Sequence, residues 1–494
     1  MTPMLLPLAT LQLWLTPLWM LALGTTLGLA VLAVLFLLLR VANRPASETA
    51  WAAISESVLM PILWIAVGMA ALVVFAWPQM PTEKVVESLR RLPAMGTATK
   101  TIELEPRSED VEVAFPMVAE EVVSYRIQSD QDVRVAADTD QAYSRPSAVV
   151  QGGEPYEWNT KSKRPRGLAG EVETLYLTND GDAPANVSLT FTTETRTPEV
   201  RRIPVTALSL VGLVLFYLLL RWILPSASTI SAATAKEAIS QPLFLLFAIL
   251  GGVALIAFIY IPYNTFGEDV KMLKDSGLSL IMVLSIIFAV WTASVSVADE
   301  IEGKTALTLL SKPIGRRDFI FGKYLGILWA VLLLFVILGV MLMGVISYKV
   351  VYDARETSNP TPDWQLCHAE MMSTAPGLVL AFLETAVLAA ISVAISTRLP
   401  MLPNLLICGS IYVLGHLTPL IVQSSAGQIE FVKFFGRVLS VILPMLDHLN
   451  IQAAIAGGQA VPFVYLGWAT LYALIYIAVA MLVALLLFED RDLA

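Results

Sequence analysis

The reading of the fold turns on Asp299-Glu-Ile-Glu-Gly-Lys-Thr-Ala-Leu-Thr-Leu-Leu-Ser-Lys-Pro-Ile-Gly-Arg-Arg-Asp-Phe-Ile-Phe-Gly-Lys-Tyr-Leu-Gly326. An uncharged apolar run, 278–298, leads into it, and a second, 324–346, begins at its end. Ile301, Ala306, Leu309 and Leu310 form an apolar set and Glu302, Lys304 and Thr305 a polar one, as in a short amphipathic helix lying on a membrane face. Ser311-Lys312-Pro313 ends that helix, because proline cannot continue the hydrogen-bond ladder. Lys304, Lys312, Arg316, Arg317 and Lys323 make this the most basic short loop of the chain. Short loops rich in Lys and Arg stay in the cytoplasm, so this loop is expected there.

Working outward, a helix needs about 20 apolar residues to cross a hydrocarbon core of roughly 30 Å. Such runs occupy 18–39, 58–77, 203–224, 243–263, 278–298, 324–346, 376–395, 402–421 and 464–488, giving about nine spans. Residues 1–39 carry no charge; Pro17 divides them, so 5–16 read as an interfacial helix before the first span. No Lys or Arg precedes that run and it is too long for a cleavable signal peptide. Alternation from the basic loop places Arg40, Arg44, Arg398 and the C-terminus inside, and 78–202 and the N-terminus outside.

Composition agrees. Of 494 residues, 56% are hydrophobic and 15% charged, with mean hydropathy +0.70; soluble proteins keep roughly a quarter charged. This excludes an ordinary cytosolic enzyme and a disordered chain. The net charge of −9 gives no basic surface for nucleic acid. Two cysteines, Cys367 and Cys408, make neither a disulfide framework nor a zinc motif.

Residues 78–202 differ, with charge, Thr, Pro and Gly and no spanning run. Period-two alternation at 101–105, 111–113, 133–135 and 186–191 predicts half-buried strands, and the whole a β-sandwich-like domain. Asn179-Asp-Gly181 reads as a hairpin turn between 175–177 and 187–191. Asp130-Gln-Asp132 and Asp138-Thr-Asp140 resemble metal-binding pairs, but solvated turns are the simpler reading. Asn186-Val-Ser188 fits a glycosylation sequon but overlaps a strand.

The quoted segment resembles the membrane subunits of ABC-2 type transporters, which carry an acidic–Gly–Lys/Thr helix, a Leu-Leu-Ser-Lys-Pro-Ile-x-Arg turn and a Gly-Lys opening the next span. Ser231-Ala-Ala-Thr-Ala-Lys-Glu-Ala-Ile-Ser-Gln241 is similar to the family's elbow helix on the inner surface. Residues 431–446, followed by Leu443-Pro-Met-Leu-Asp-His-Leu-Asn450, look like its re-entrant outer helices. The resemblance covers about 231–488, leaving the first three spans and the β-rich part outside the six-span pattern. It implies a permease subunit of an ATP-driven exporter. Its loop residues Glu300, Glu302, Gly303, Lys304, Thr305, Leu309, Ser311, Lys312, Pro313, Arg316, Arg317 and Lys323 would dock a separate cytoplasmic ABC ATPase. A second permease copy or a homologous permease would complete the pathway in the cytoplasmic (inner) membrane. No cofactor is implied in this chain; ATP and Mg belong to the partner subunit.

The implied organisation is 1–77, an interfacial helix and two spans; 78–202, the extracytoplasmic β-rich domain; 203–229, a third span and cytoplasmic linker; and 230–494, the six-span core. Gly303-Lys304-Thr305 imitates the end of a P-loop, but position 298 is Ala and a span precedes it, so no phosphate cradle forms. Glu384 and His416 fall at similar depths in adjacent antiparallel spans and are candidates for a pathway pair, since ionisable groups inside a membrane face the bundle interior or a water-filled cavity. Cys367-His368 with Glu370, Met371 and Met372 is a soft-ligand cluster in an outer loop, read as ordinary loop and span-start residues rather than a metal site. Neither His-Glu-x-x-His nor Gly-x-Ser-x-Gly occurs, so no catalytic site is expected. The alternative is a membrane-anchored envelope scaffold or force-transmitting sensor without cargo.

Overall fold

The computed structural model describes residues 5–137, 146–160, 162, 164–261, 268–302, 315–357, 360–423, 434 and 443–489. The chain opens with α1 (Leu5–Ala42), α2 (Arg44–Ser55), α3 (Leu59–Ala76) and α4 (Thr82–Arg91). Strands β1 (Gly96–Leu104), β2 (Val111–Val118), β3 (Val122–Ser129), β4 (Val133–Ala136), β5 (Ala148–Val150), β6 (Tyr156–Asn159), β7 (Glu171–Asn179) and β8 (Ala185–Thr193) follow. Helices then resume as α5 (Arg202–Ile223), α6 (Pro225–Ser240), α7 (Pro242–Tyr260), α8 (Asp269–Ala293) and the short α9 (Asp299–Glu302). The last are α10 (Arg316–Glu356), α11 (Trp364–Met372), α12 (Ala375–Ser396), α13 (Met401–Gln423), α14 (Gln452–Ala456) and α15 (Phe463–Glu489). Two compact units result, Met1–Met80 with Ile203–Ala494, and Pro81–Arg202.

In the helical unit, eight helices among the described residues are long and apolar enough to cross a membrane, and α13 adds a shorter apolar stretch, Met401–Leu417. The protein is therefore a multi-pass membrane protein. Apolar content alone does not rank these helices; burial does. α8, α10 and α12 are covered around most of their circumference, whereas α1, α3, α5, α7 and α15 leave broad apolar faces such as Val74, Phe75, Leu208 and Trp468 exposed. A helix apolar all round is a core element or a span, and here the first group is both. α10 has 41 residues, about 60 Å of helix, twice the hydrocarbon core. Its ends, and the Asp269 end of α8, therefore carry charge that a count of apolar runs assigns to loops.

The N-terminal run also departs from expectation. Pro17 does not separate an interfacial helix from a span; it lies inside the single helix α1. Thr16 Oγ1 donates to Gln12 O at 2.6 Å and Ser347 Oγ to Trp14 O at 2.7 Å. Side-chain hydrogen bonds and helix neighbours of this kind let a membrane helix accommodate proline.

The Pro81–Arg202 unit holds two four-stranded sheets, ordered β1-β8-β3-β6 and β2-β7-β4-β5, with every pair antiparallel. Alternate residues, Val187, Leu189 and Phe191 on β8 and Leu175 and Leu177 on β7, enter one buried cluster shared by both sheets. Pro116 on edge strand β2 has no N–H for the ladder, and the register with β7 slips between Ala114 and Met117.

Asn179-Asp-Gly181 is not a hairpin turn: β7 and β8 belong to different sheets. Residues 180–184 separate them, longer than a tight two-residue loop. The buried Asn179 holds the crossing, its Nδ2 donating to Glu105 O (3.0 Å) and Ala183 O (2.9 Å) while Oδ1 accepts from Gly181 N. The Asp130/Asp132 pair serves turns: Asp130 accepts from Asn186 N at 2.7 Å and Asp132 from Gly152 N at 2.8 Å. Asp138 and Asp140 lie outside the described residues, as does most of 431–446.

Candidate functional site

The basic loop is approached from α8, which ends in one π-helical turn, Ser294–Ala298, before α9. Such turns relax the α-helical register and often mark functional positions. Gly303, Lys304, Thr305, Leu309, Ser311, Lys312 and Pro313 fall outside the described residues, and Glu302 is placed by its backbone alone. The two ends of the loop are tied together. Lys323 Nζ lies 2.5 Å from Glu300 Oε1; the lysine side chain is 4% exposed and so desolvated, while the glutamate keeps some contact with solvent at 21%. The same ammonium sits 5.7 Å from the centre of the Phe319 ring, which stacks on Phe488. Arg316 Nη1 donates to Glu489 O at 2.9 Å, and Arg317 is exposed.

The elbow segment is α6, starting earlier than the sequence resemblance suggests, at Pro225. It presses on α10 where Gly322 and Gly326 lie one turn apart. A Cβ at Gly322 would stand 2.7 Å from Ile230 Cβ and 2.8 Å from Ala227 O; one at Gly326 would stand 2.6 Å from Thr234 Cβ and 2.8 Å from Ser231 O. Small residues at this spacing permit close helix contact. α6 and the start of α10 therefore pack backbone to backbone on either side of Lys323 in the sequence.

Beneath the π-turn lies a buried polar knot. Asn404 Nδ2 is 2.9 Å from Ser294 Oγ, 2.8 Å from Ser392 Oγ and 2.9 Å from Ser396 Oγ, and Asn404 Oδ1 accepts from Cys408 Sγ at 3.3 Å. One amide thus binds the exit of α8 to α12 and α13. Of these residues only Cys408 stands out in the sequence; a lone asparagine or serine in an apolar run carries no distinguishing signal.

Deeper in the bundle, Glu384 on α12 has no solvent exposure, and neither carboxyl oxygen has a hydrogen-bond partner among the described residues. His416 Nε2 on α13 lies 3.5 Å from Glu384 Oε1. The histidine is held from both sides, Nδ1 3.0 Å from Tyr412 O and Nε2 3.3 Å from Asn450 Nδ2. A carbonyl only accepts, so Nδ1 carries the proton, and a neutral ring then accepts from Asn450 at Nε2. In that state the ring has no proton to give Glu384. The carboxylate can then accept from a hydrogen-bond donor or face a cation.

At the other end of α10 the structure assembles charges that lie outside the apolar runs. The buried Lys274 pairs with Glu370 and donates to Ser373 Oγ at 2.8 Å. Lys349 donates to Ile259 O at 3.0 Å and approaches Asp269 Oδ2 to 3.6 Å. Asp269, Asp353 and Glu356 bring carboxylate oxygens within 4.8 Å of one another, with Lys349 supplying opposing charge. The spacing of Lys349, Asp353 and Glu356, one face of a helix, is the signal that would have grouped them. Cys367 and His368 lie on α11 rather than in a loop and are buried; Cys367 packs with Val350 and Val351, while Cys408 bonds Asn404, and both are free thiols.

A family model described as ABC-2 family transporter protein matches residues 29–493. The chain belongs to this family. The match takes in the C-terminal part of α1, the next two spans and the strand-rich unit. Comparison with curated proteins gives no match. The permease is thus a membrane component of a transporter.

Proposed function

We propose that this permease is the membrane-spanning subunit of an ATP-driven exporter, coupled through residues 299–323 to a separate cytoplasmic ABC ATPase. The observation that carries this reading is the Glu300–Lys323 pair, which makes the entrance and exit of the basic loop move together. Force applied to the loop reaches α10 directly and the elbow through Gly322 and Gly326. It reaches α12 and α13 through Ser294 and Asn404. The basic loop lies in the cytoplasm, residues 78–202 lie outside, and a second permease completes the pathway. Glu384 and His416 line that pathway, where a cationic or hydrogen-bond-donating group would satisfy the carboxylate. ATP and Mg are bound by the ATPase, and this chain supplies docking and movement.

The test is purification of the tagged protein from its host in mild detergent, with stoichiometric partners identified by mass spectrometry. A cytoplasmic ATPase is expected with wild type and lost with Arg316→Glu, Arg317→Glu. A folded wild-type protein without any ATPase would overturn the exporter reading and favour a scaffold.

A further inference from the structure

A cavity of about 600 Å³ lies between α1, α2 and α3 within the helical unit, in the size range of small-ligand sites, roughly 300–1,000 Å³. Its walls are apolar, with Leu29 and Phe36 from α1, Trp51 from α2, and Trp64 and Val67 from α3; its polar end is Arg40, Ser47 and Glu48. Trp51 and Trp64 are 54% and 63% exposed, so the groove opens sideways onto the surface that lipid would cover. Along α1, Leu29 to Arg40 spans about 16 Å, the depth of one leaflet of a roughly 30 Å core. The charge is unbalanced. Glu48 is held by Arg44 at 3.1 Å, while the exposed Arg40 has no ion-pair or hydrogen-bond partner among the described residues. One net positive charge therefore sits at headgroup level over an apolar slot one leaflet deep.

We propose that this groove is a binding site for one anionic phospholipid, its phosphate at Arg40 and one acyl chain running along α1 toward Leu29. The site requires only that the chain spans a membrane; it does not depend on ATPase coupling, so failure of the pull-down above leaves it standing and its own failure leaves that reading standing. Arg40 selects the headgroup because a basic side chain at the surface attracts anionic lipid. The two tryptophans flank the chain at the interface, where aromatic rings are favoured.

The test uses the full-length protein reconstituted in phosphatidylcholine vesicles. These are doped with phosphatidylglycerol bearing a diazirine on one acyl chain, or with phosphatidylcholine bearing the same group. After irradiation, labelled residues are mapped by mass spectrometry. Labelling of α1–α3 groove residues by the phosphatidylglycerol probe is expected to exceed that by the phosphatidylcholine probe about fivefold, the preference one basic residue confers near a charged headgroup. Arg40→Gln should reduce it to the phosphatidylcholine level. Ala33→Trp, at an exposed position lining the groove, should block labelling with both probes. Leu38→Trp, exposed and outside the lining, should leave it unchanged. Equal labelling by the two wild-type probes would overturn the proposal without recourse to variants. So would label spread evenly over all lipid-facing helices.

Discussion

Replacing Lys323 by methionine probes the pair on which the coupling argument depends. The ammonium is 4% exposed and the Glu300 side chain 21% exposed, at a separation of 2.5 Å. Removing one partner of a buried ion pair costs roughly 3–5 kcal/mol, because the remaining charge stays desolvated, whereas apolar replacement of both is often neutral. Glu300 keeps some contact with solvent, so the lower end applies, about 3 kcal/mol for Lys323→Met. Glu300→Met combined with Lys323→Met should recover most of that loss, giving a coupling energy of about 1–3 kcal/mol in the four-protein cycle. The assay is denaturant unfolding of all four proteins in mixed micelles, followed in the same preparations by ATPase co-purification. The double variant should be stable yet bind or respond to the ATPase poorly, because the loop ends are no longer joined by charge. Wild-type stability of Lys323→Met, or a double variant whose loss equals the sum of the single losses, would refute the reasoning.

Three further outcomes follow from the geometry. Gly326→Ala should destabilise by about 1–3 kcal/mol, because the new methyl meets the backbone oxygen of Ser231; Gly212→Ala, with open space around it, should be near neutral in the same unfolding assay. Glu384→Met should stabilise the bundle by about 1–3 kcal/mol, by removing a buried carboxyl without hydrogen bonds, and should abolish transport in the reconstituted complex; retained transport would remove Glu384 from the pathway. The Asn186 N–H and side chain hold the Asp130 carboxyl below its ordinary value of 3.8. A lowered acid stabilises while ionised, so this support is full above that value and is lost as pH falls below it. Hydrogen exchange at the Asn186 amide, corrected for intrinsic rates, should show protection at neutral pH that fades in acid, and Asp130→Asn should flatten the difference.

The spans were legible because a bilayer leaves little choice: backbone groups in hydrocarbon must be satisfied within a helix, and the side chains around it must be apolar. What hydropathy could not show was helix continuing past the apolar run. Asp269, Lys274 and Lys349 are helical, and their pairing depends on which helices are neighbours. Pro17 does not end α1: a helix neighbour as distant in sequence as Ser347, which donates to Trp14 O, supports the segment around it. In the strand-rich unit the alternation at β7 and β8 was plain, yet their assignment to different sheets was set by a buried Asn179 that resembles any turn asparagine. Glu384 and His416 were accessible to simple depth counting because both interrupt otherwise apolar spans; the Asn404 knot was not, since its serines are unremarkable singly.

That knot has a consequence for motion. An amide nitrogen carries two hydrogens, and Asn404 Nδ2 has three serine oxygens within reach. At any instant one serine goes without an amide hydrogen. The two N–H bonds of a planar amide point in fixed directions, so a change of partner needs a turn of the Asn404 side chain and leaves the number of hydrogen bonds at this junction of α8, α12 and α13 the same. In the membrane component of a transporter, an oversubscribed donor is a joint that can change partners while keeping its number of hydrogen bonds.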